Sequence, residues 1–369
     1  MEPSGAPIAI YGATGFTGRL LVAELARRGR PLVLSGRDRP RLEVLAAGVD
    51  DARAVPAALD DPAGVRAALD GCGAVVNCAG PFARLGEPVV AAALAAGVPY
   101  LDTSGEARWM HHVLDDHGPA AERRGIALLP AAGFDYVPGD LACALAARGH
   151  EPLRSLLVAY AVAGGGFTRG TMRSAVGLLA RPELVWEDGE LRAAPWRPLR
   201  RQVTFPAPIG RRIVTRFPGG EPVTVPRHVR VRRLEVVIDA RAFALGADPV
   251  APLIPLATPV LRPLLRGPVL GGLDAAIGAL PEGPSQERRA RTRWTLVARG
   301  HGEDGARTEA VVQGGDVYGL TAVIAATLAT RAADGELPAG GLSPAQAADP
   351  AGFLDALAHH GVQWRAGAR

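Results

Sequence analysis

The sequence predicts an α/β protein with a Rossmann domain, a doubly wound parallel sheet, over residues 1–150. An inserted α+β domain with an antiparallel sheet is expected over 151–314, and a C-terminal helix returning to the first domain within 315–369. Three observations carry this prediction. The stretch IAIYGATGFTGR, Ile8 to Arg19, sets three glycines between an apolar run and an amphipathic one. Strand and helix patterns then alternate to about residue 150, the rhythm of βαβ units. After that point longer strands and a hairpin signal replace them.

The strands of the first domain are expected at Ile8–Tyr11, Leu32–Ser35, Ala52–Pro56, Ala74–Asn77, Tyr100–Asp102 and Ile126–Leu129. Helices are expected at Thr17–Gly29, Pro40–Gly48, Pro62–Leu69, Pro88–Gly97 and Met110–Arg124, several opening at Pro or after Asp and closing on Gly. In the second domain Leu153–Ala163 and His228–Ala240 read as long strands. Trp294–Gly300 and Arg307–Gln313 flank the turn HGEDGA as a hairpin, and Thr171–Leu179 reads as a helix. Tyr318–Ala332 is the returning helix; Ala333–Gly341 reads as a Pro/Gly linker before a short C-terminal helix. The stretch from Gly246 to Leu273 is very apolar, yet its six prolines prevent one continuous helix. It suits a dimer interface or satellite core, or else a greasy lid or a peripheral membrane contact.

Composition excludes several chemistries. All 41 basic residues are arginine. A Walker-A lysine, a Tyr-x-x-x-Lys dehydrogenase pair and a Schiff-base lysine are therefore impossible. A net charge of +4, with no basic run interleaved with aromatics, argues against a nucleic-acid partner. The N-terminus reaches the glycine loop without a signal-peptide pattern, and no transmembrane helix is expected, so a cytoplasmic protein is the expectation. Cys72, Cys78 and Cys143 sit in apolar surroundings and read as free thiols in a reducing compartment. No metal site is expected: the adjacent His111 and His112 cannot both face one side of a helix, and no cysteine lies near His359 and His360. Gly-x-Ser-x-Gly is absent, which argues against a serine hydrolase.

Gly12, Gly15 and Gly18 give the GxxGxxG spacing after a strand and at a helix start, the context of a dinucleotide pyrophosphate loop. Where an NAD site carries an acid at the end of the second strand, this chain has Ser35, Gly36 and Arg37. A hydroxyl and a guanidinium suit a 2′-phosphate, so the cofactor expected is NADPH. Asp38 reads as a helix cap. Asp60 either receives the adenine amino group or caps a helix. Asn77–Phe82 and Asp102–Glu106 end the fourth and fifth strands, with Cys78 and Ser104 beside the cofactor path.

With these residues in view the chain resembles the saccharopine dehydrogenase-like oxidoreductases, and within them the bacterial branch that includes trans-acting enoyl reductases of polyketide lipid assembly. The resemblance rests on YGATGFTG, SGRD, VVNCAGPF, GVPYLDTSGE, PAAGFDYVPGDL, GGFTRGTMRS and GGDVYGLTA, which run from residue 11 to about 322. It implies an NADPH-dependent reduction and an inserted domain used for substrate binding and homodimerisation. Gly12, Thr14, Gly15, Phe16, Thr17 and Gly18 would hold the pyrophosphate, Ser35 and Arg37 the 2′-phosphate, and Ala79, Gly80 and Pro81 the nicotinamide side.

Hydride transfer also needs a proton source and stabilisation of the resulting anion. Tyr318, opening the returning helix, is the first candidate and Tyr136 the second; a packed tyrosine with a hydrogen-bonded hydroxyl is the commoner role of each. Asp135 is an acid candidate or a loop cap. The expected activity is reduction of a C=C, C=O or C=N bond in an apolar or carrier-bound metabolite, with a polyketide or peptide synthase carrier protein as partner. Saccharopine-type condensation and a non-catalytic NADP(H) sensor are the alternatives.

Overall fold

The computed structural model describes residues 5–164, 166–179, 184–194, 201–243 and 268–369. They fold as two units: Met1–Val137 with Val317–Ala347, and Pro138–Asp316 with Ala348–Arg369. The apolar stretch expected at 246–273 lies outside the described residues up to 267; its end begins a helix, Pro268–Gly278.

The first unit is built on β1 (Ile8–Tyr11), β2 (Leu32–Gly36), β3 (Ala52–Pro56), β4 (Ala74–Asn77), β5 (Tyr100–Asp102) and β6 (Ala127–Leu129). Each coincides with an apolar run to within a residue. Strands β1, β2, β4, β5 and β6 are buried throughout, as a parallel sheet covered on both faces requires. Among the described residues the order is Gly340–Gly341, β6, β5, β4, β1, β2, β3, with every pairing parallel. The strand order reverses between β1 and β4, with β2 and β3 to one side and β4, β5 and β6 to the other. Ligands of such sheets bind at the carboxyl edge beside that point.

Helix caps bear out part of the reading. Asp38 accepts from the Arg41 N–H at 3.1 Å and caps Arg39–Ala47. The cap of Pro62–Ala67 is Asp61, which accepts from the Gly64 N–H at 3.0 Å, so Asp60 does not have that role. The returning helix, Val317–Ala333, packs on helix Phe16–Arg27, where Arg28 donates to Thr327 at 3.0 Å and Arg30 pairs with Asp334 at 2.9 Å.

In this unit two expectations change. The linker Ala333–Gly341 ends in a strand, because Gly340 and Gly341 pair with Ala127 and Leu128 of β6. The expected helix Met110–Arg124 is interrupted: Ala107–His111 and Gly118–Arg123 are α-helical, and His112–His117 between them is a π-helix.

The second unit holds β7 (Leu153–Ala163), β8 (Leu184–Glu187), β9 (Glu190–Ala193), β10 (Arg201–Thr204), β11 (Arg211–Arg216), β12 (Arg233–Asp239), β13 (Arg293–Gly302) and β14 (Arg307–Gly315). With Gly340–Gly341 counted as β15, the last strand is β16 (Gln363–Ala368). Among the described residues the sheet runs β10, β11, β12, β7, β13, β14, β16, with β8 on β12 and β9 on β8. The β13–β14 hairpin is where HGEDGA places it. The sheet is mixed rather than antiparallel throughout, because β7 and β12 pair in parallel. Residues 315–369 divide between the units: Val317–Ala347 joins the parallel sheet's unit, while helix Pro350–Ala356 and β16 join the mixed one.

Candidate cofactor and active site

The glycine loop is shaped by close backbone approaches. Gly12 has φ +80°, and a Cβ there would stand 3.0 Å from the Ala79 nitrogen. A Cβ on Gly18 would collide with the Gly12 carbonyl oxygen, so only glycine lets helix Phe16–Arg27 start this close to β1. Gly15 sits at the N-cap in extended conformation, and no side chain caps the helix. Its first N–H groups and the positive end of its dipole thus face the loop, which suits a pyrophosphate. Two guanidiniums reach the same loop: Arg19 donates to the Thr14 carbonyl at 2.6 Å and Arg41 at 3.3 Å. Neither was singled out from sequence, although Arg41 lies in the arginine-rich SGRDRPR.

At the end of β2 the Ser35 carbonyl accepts from Gly12 N–H at 2.9 Å and Ala13 N–H at 3.2 Å. Ser35 is 1% exposed, and its hydroxyl has no hydrogen-bond partner among the described residues. Arg37 is exposed beside it. The Tyr11 hydroxyl donates to the Ala57 carbonyl at 3.0 Å; burial pushes it up to about 12 against the opposing charge of Arg37, while Asp60 reinforces the rise. Arg37 and Asp60 thus both act on the Tyr11 hydroxyl at the end of β1. Asp60 is exposed there, a position open to an adenine amino group.

The loops after β4, β5 and β6 are held by two carboxylates. Asp102, fully buried, accepts at Oδ2 from Tyr100 Oη at 2.8 Å and Trp109 Nε1 at 2.6 Å. At Oδ1 it accepts from the Ser104 N–H at 3.0 Å and the Ala131 N–H at 2.8 Å. The last bond holds Ala131 at φ +58°, a left-handed conformation costly for alanine. Glu106 accepts from the Phe82 and Ala83 N–H groups at 2.8 and 3.0 Å. It thereby supplies the negative charge that the start of helix Phe82–Leu85 favours. Neither carboxylate was assigned from sequence. LDTSGE displayed both, but Ala131 and the two N–H groups on Glu106 come from distant segments.

Asn77 accepts from the Ala79 N–H at 2.9 Å, fixing the Cys78–Pro81 turn. Burial pushes the Cys78 thiol up to about 12, so it is no nucleophile at neutral pH. Cys72 and Cys143 are buried free thiols. Ser104, like Ser35, is 1% exposed, and its hydroxyl has no partner among the described residues. Two unsatisfied buried hydroxyls, a cradle that any Cβ would fill, and a nearby arginine fit a phosphorylated dinucleotide.

The three catalytic candidates part company. Tyr136 is 1% exposed and its hydroxyl donates to the Gly105 carbonyl at 2.9 Å, so it ties the β5 and β6 loops together. Asp135 is open to solvent yet closely ringed by protein, and desolvation raises its carboxyl to about 6. Tyr318 stacks edge-on against Phe16 of the glycine loop, with ring centroids 5.3 Å apart. Three residues on, Thr321 accepts from the Phe134 N–H at 3.1 Å, which joins the returning helix to the β6 loop. Tyr318 therefore stands beside the pyrophosphate loop. Among the described residues one group could also hold a metal ion, Glu87 with His112 and His117.

No helix among the described residues is long and apolar enough to cross a membrane. Residues 8–129 match the family of the saccharopine dehydrogenase NADP binding domain. A Mycobacterium tuberculosis protein named as a trans-acting enoyl reductase is 33% identical over 184 residues, 47% of this chain and 44% of that protein. A trans-acting enoyl reductase of Mycobacterium bovis is 34% identical over 140 residues, 36% of this chain and 34% of its own. The similarity thus spans less than half the length of these curated relatives. Among solved structures, saccharopine dehydrogenase (L-Glu forming) from Saccharomyces cerevisiae aligns over 99% of this chain and 100% of that one, with a TM-score of 0.64 at 13% identity. Residues 8–129 are therefore similar to the NADP-binding domain of saccharopine dehydrogenases, in a chain with the saccharopine dehydrogenase fold.

Proposed function

We propose that this protein is an NADPH-dependent reductase of an activated double bond, first an enoyl thioester carried on a polyketide or peptide synthase carrier protein. A ketone or imine in an apolar metabolite is the nearest variation. The observation that carries the reading is the pairing of an NADP-binding domain with relatives named trans-acting enoyl reductase.

The residues divide the work. The N–H groups that open helix Phe16–Arg27 take the pyrophosphate, with Arg19 and Arg41 adding positive charge nearby. Ser35 and Arg37 take the 2′-phosphate, and Asp60 the adenine. Asp102 and Glu106 fix the loops against which the nicotinamide lies, so their geometry precedes binding. When bound, NADPH supplies a hydride to the β-carbon of the enoyl group. In this reading Tyr318 donates a hydrogen bond to the thioester oxygen as enolate charge develops. Asp135 holds the proton that ends on the α-carbon, giving a saturated thioester and NADP⁺.

The test is loss of cofactor absorbance when the chain meets NADPH and a panel of enoyl thioesters on pantetheine and on carrier protein. Turnover of at least one enoyl thioester is expected, with kcat about a hundredfold lower in Tyr318→Phe and KM little changed. No oxidation with any enoyl, ketone or imine substrate would overturn the reading.

A further inference from the structure

The sequence HVLDDH, His112–His117, has no role in the reductase site, and its backbone is unusual. It is π-helical. In an α-helix, residues five apart point about 140° away from each other. A π turn closes at i→i+5 and brings them onto one face, and such turns recur at functional sites. Here it turns His112 and His117 toward one another, with ring centroids 4.9 Å apart.

Both rings converge on one carboxylate. His112 Nε2 lies 2.9 Å and His117 Nε2 3.2 Å from Glu87, the first residue of helix Glu87–Ala96. The three ligand atoms all lie within 4.8 Å of one another. Tetrahedral zinc with bonds of about 2.1 Å asks its ligands to stand about 3.4 Å apart, so shifts of about an ångström or less suffice, outward for the two contacts to Glu87. The other nitrogen of His112, Nδ1, meets Asp116 Oδ2 at 2.6 Å. An outer carboxylate on the far ring nitrogen is what orients a metal-bound histidine and raises its basicity. Trp109 packs at 5.6 Å from the His112 ring, and His111 faces Asp115 instead.

We infer that Glu87, His112 and His117 bind a divalent transition-metal ion, with Asp116 orienting His112 from the second layer. Two imidazoles and one carboxylate select zinc over magnesium or calcium. Glu87 and His112 are 52% and 40% exposed, so water completes the coordination. The ion would clamp helix Glu87–Ala96 to the 107–123 segment, whose Trp109 donates to Asp102. It is a brace for the loops of the cofactor site and does not touch the reaction. The inference stands independently of the reductase reading.

Zinc titration of the tag-free chain by calorimetry tests it, with cobalt as a spectroscopic substitute. One saturable equivalent per chain, a visible cobalt band and a melting temperature lowered by chelator are expected. His117→Gln should abolish the site, and Asp116→Asn, at an exposed position, should weaken it about tenfold or more. His111→Gln should leave it intact. Equal zinc affinity in wild type, His117→Gln and Asp116→Asn would overturn the inference. So would absence of saturable binding by the wild type.

Discussion

The parallel sheet of the first unit and the mixed sheet of the second each bury a carboxylate, and they satisfy it in opposite ways. Asp102 accepts four hydrogen bonds from uncharged donors, two side chains and two backbone N–H groups. Glu309 on β14 is met by cations. Arg299, directly opposite on β13, donates at 2.8 Å, and Arg365 on β16 at 3.0 Å, with Arg369 3.7 Å away. The first arrangement fixes loops in one geometry around a ligand. The second recruits an otherwise polar strand to a sheet edge by charge pairing. Preorganisation therefore belongs to the first unit and electrostatic tethering to the second.

The comparison breaks most sharply at Asp102. Asp102→Ala leaves the Tyr100, Trp109, Ser104 and Ala131 donors unpaired in the interior, at a cost of at least about 3 kcal/mol. Urea unfolding should show that loss, nearly independent of salt, together with loss of NADPH binding. A salt-sensitive loss would put Asp102 in the same class as Glu309.

Glu309→Gln should cost less, about 1–2 kcal/mol, and the cost should shrink as salt rises. Burial alone would raise the Glu309 carboxyl, but its bonds from Arg299 and Arg365 outweigh that and hold it below the ordinary glutamate value. Its contribution is present at neutral pH and is lost as pH falls through the depressed folded value. Glu309→Gln should therefore remove part of the acid sensitivity seen in thermal melts, with β16 the first element to exchange its amide hydrogens.

Asp135→Asn is the smallest effect on stability and the most informative about chemistry. Desolvation raises this carboxyl to about 6, so whatever stability it adds is full below the ordinary aspartate value and fades as pH rises through 6. The variant should match or slightly exceed wild type in stability at pH 7 and flatten the profile between 4 and 6. If Asp135 supplies the proton, the wild-type rate falls above pH 6 and the variant loses that limb. An unchanged rate profile would leave Asp135 out of the reaction.

How much of this was legible in the sequence follows from the same contrast. Strands buried on both faces are written as apolar runs, and β1, β2, β4, β5 and β6 stand where IAIY, LVLSG, AVVN, YLD and ALL place them, while the half-buried β3 at the sheet edge stands at ARAVP. Strands β10, β11 and β16 carry RQVT, RRIVTR and QWRAGA, in which arginines on an exposed face hide the alternation. Gly340–Gly341 has no side chains to signal a strand, and only backbone pairing with Ala127 and Leu128 makes it one. The glycine loop and Arg37 were readable because their spacing is local. The roles of Asp102 and Glu106 were not, since Ala131 arrives from the loop after β6 and the Phe82 and Ala83 N–H groups from helix Phe82–Leu85. The π turn was hidden for another reason: it differs from an α-helix by one residue of hydrogen-bond register, which no periodicity records.

The most direct test of the account is cofactor affinity, measured by fluorescence titration with NADPH and NADH on wild type and Arg37→Ala. A charge-assisted bond to phosphate, worth about 2 kcal/mol, predicts that wild type binds NADPH well over tenfold tighter than NADH. Arg37→Ala should lose that preference by weakening NADPH alone. Equal affinity of the wild type for the two cofactors would contradict the assignment of Ser35 and Arg37 to the 2′-phosphate.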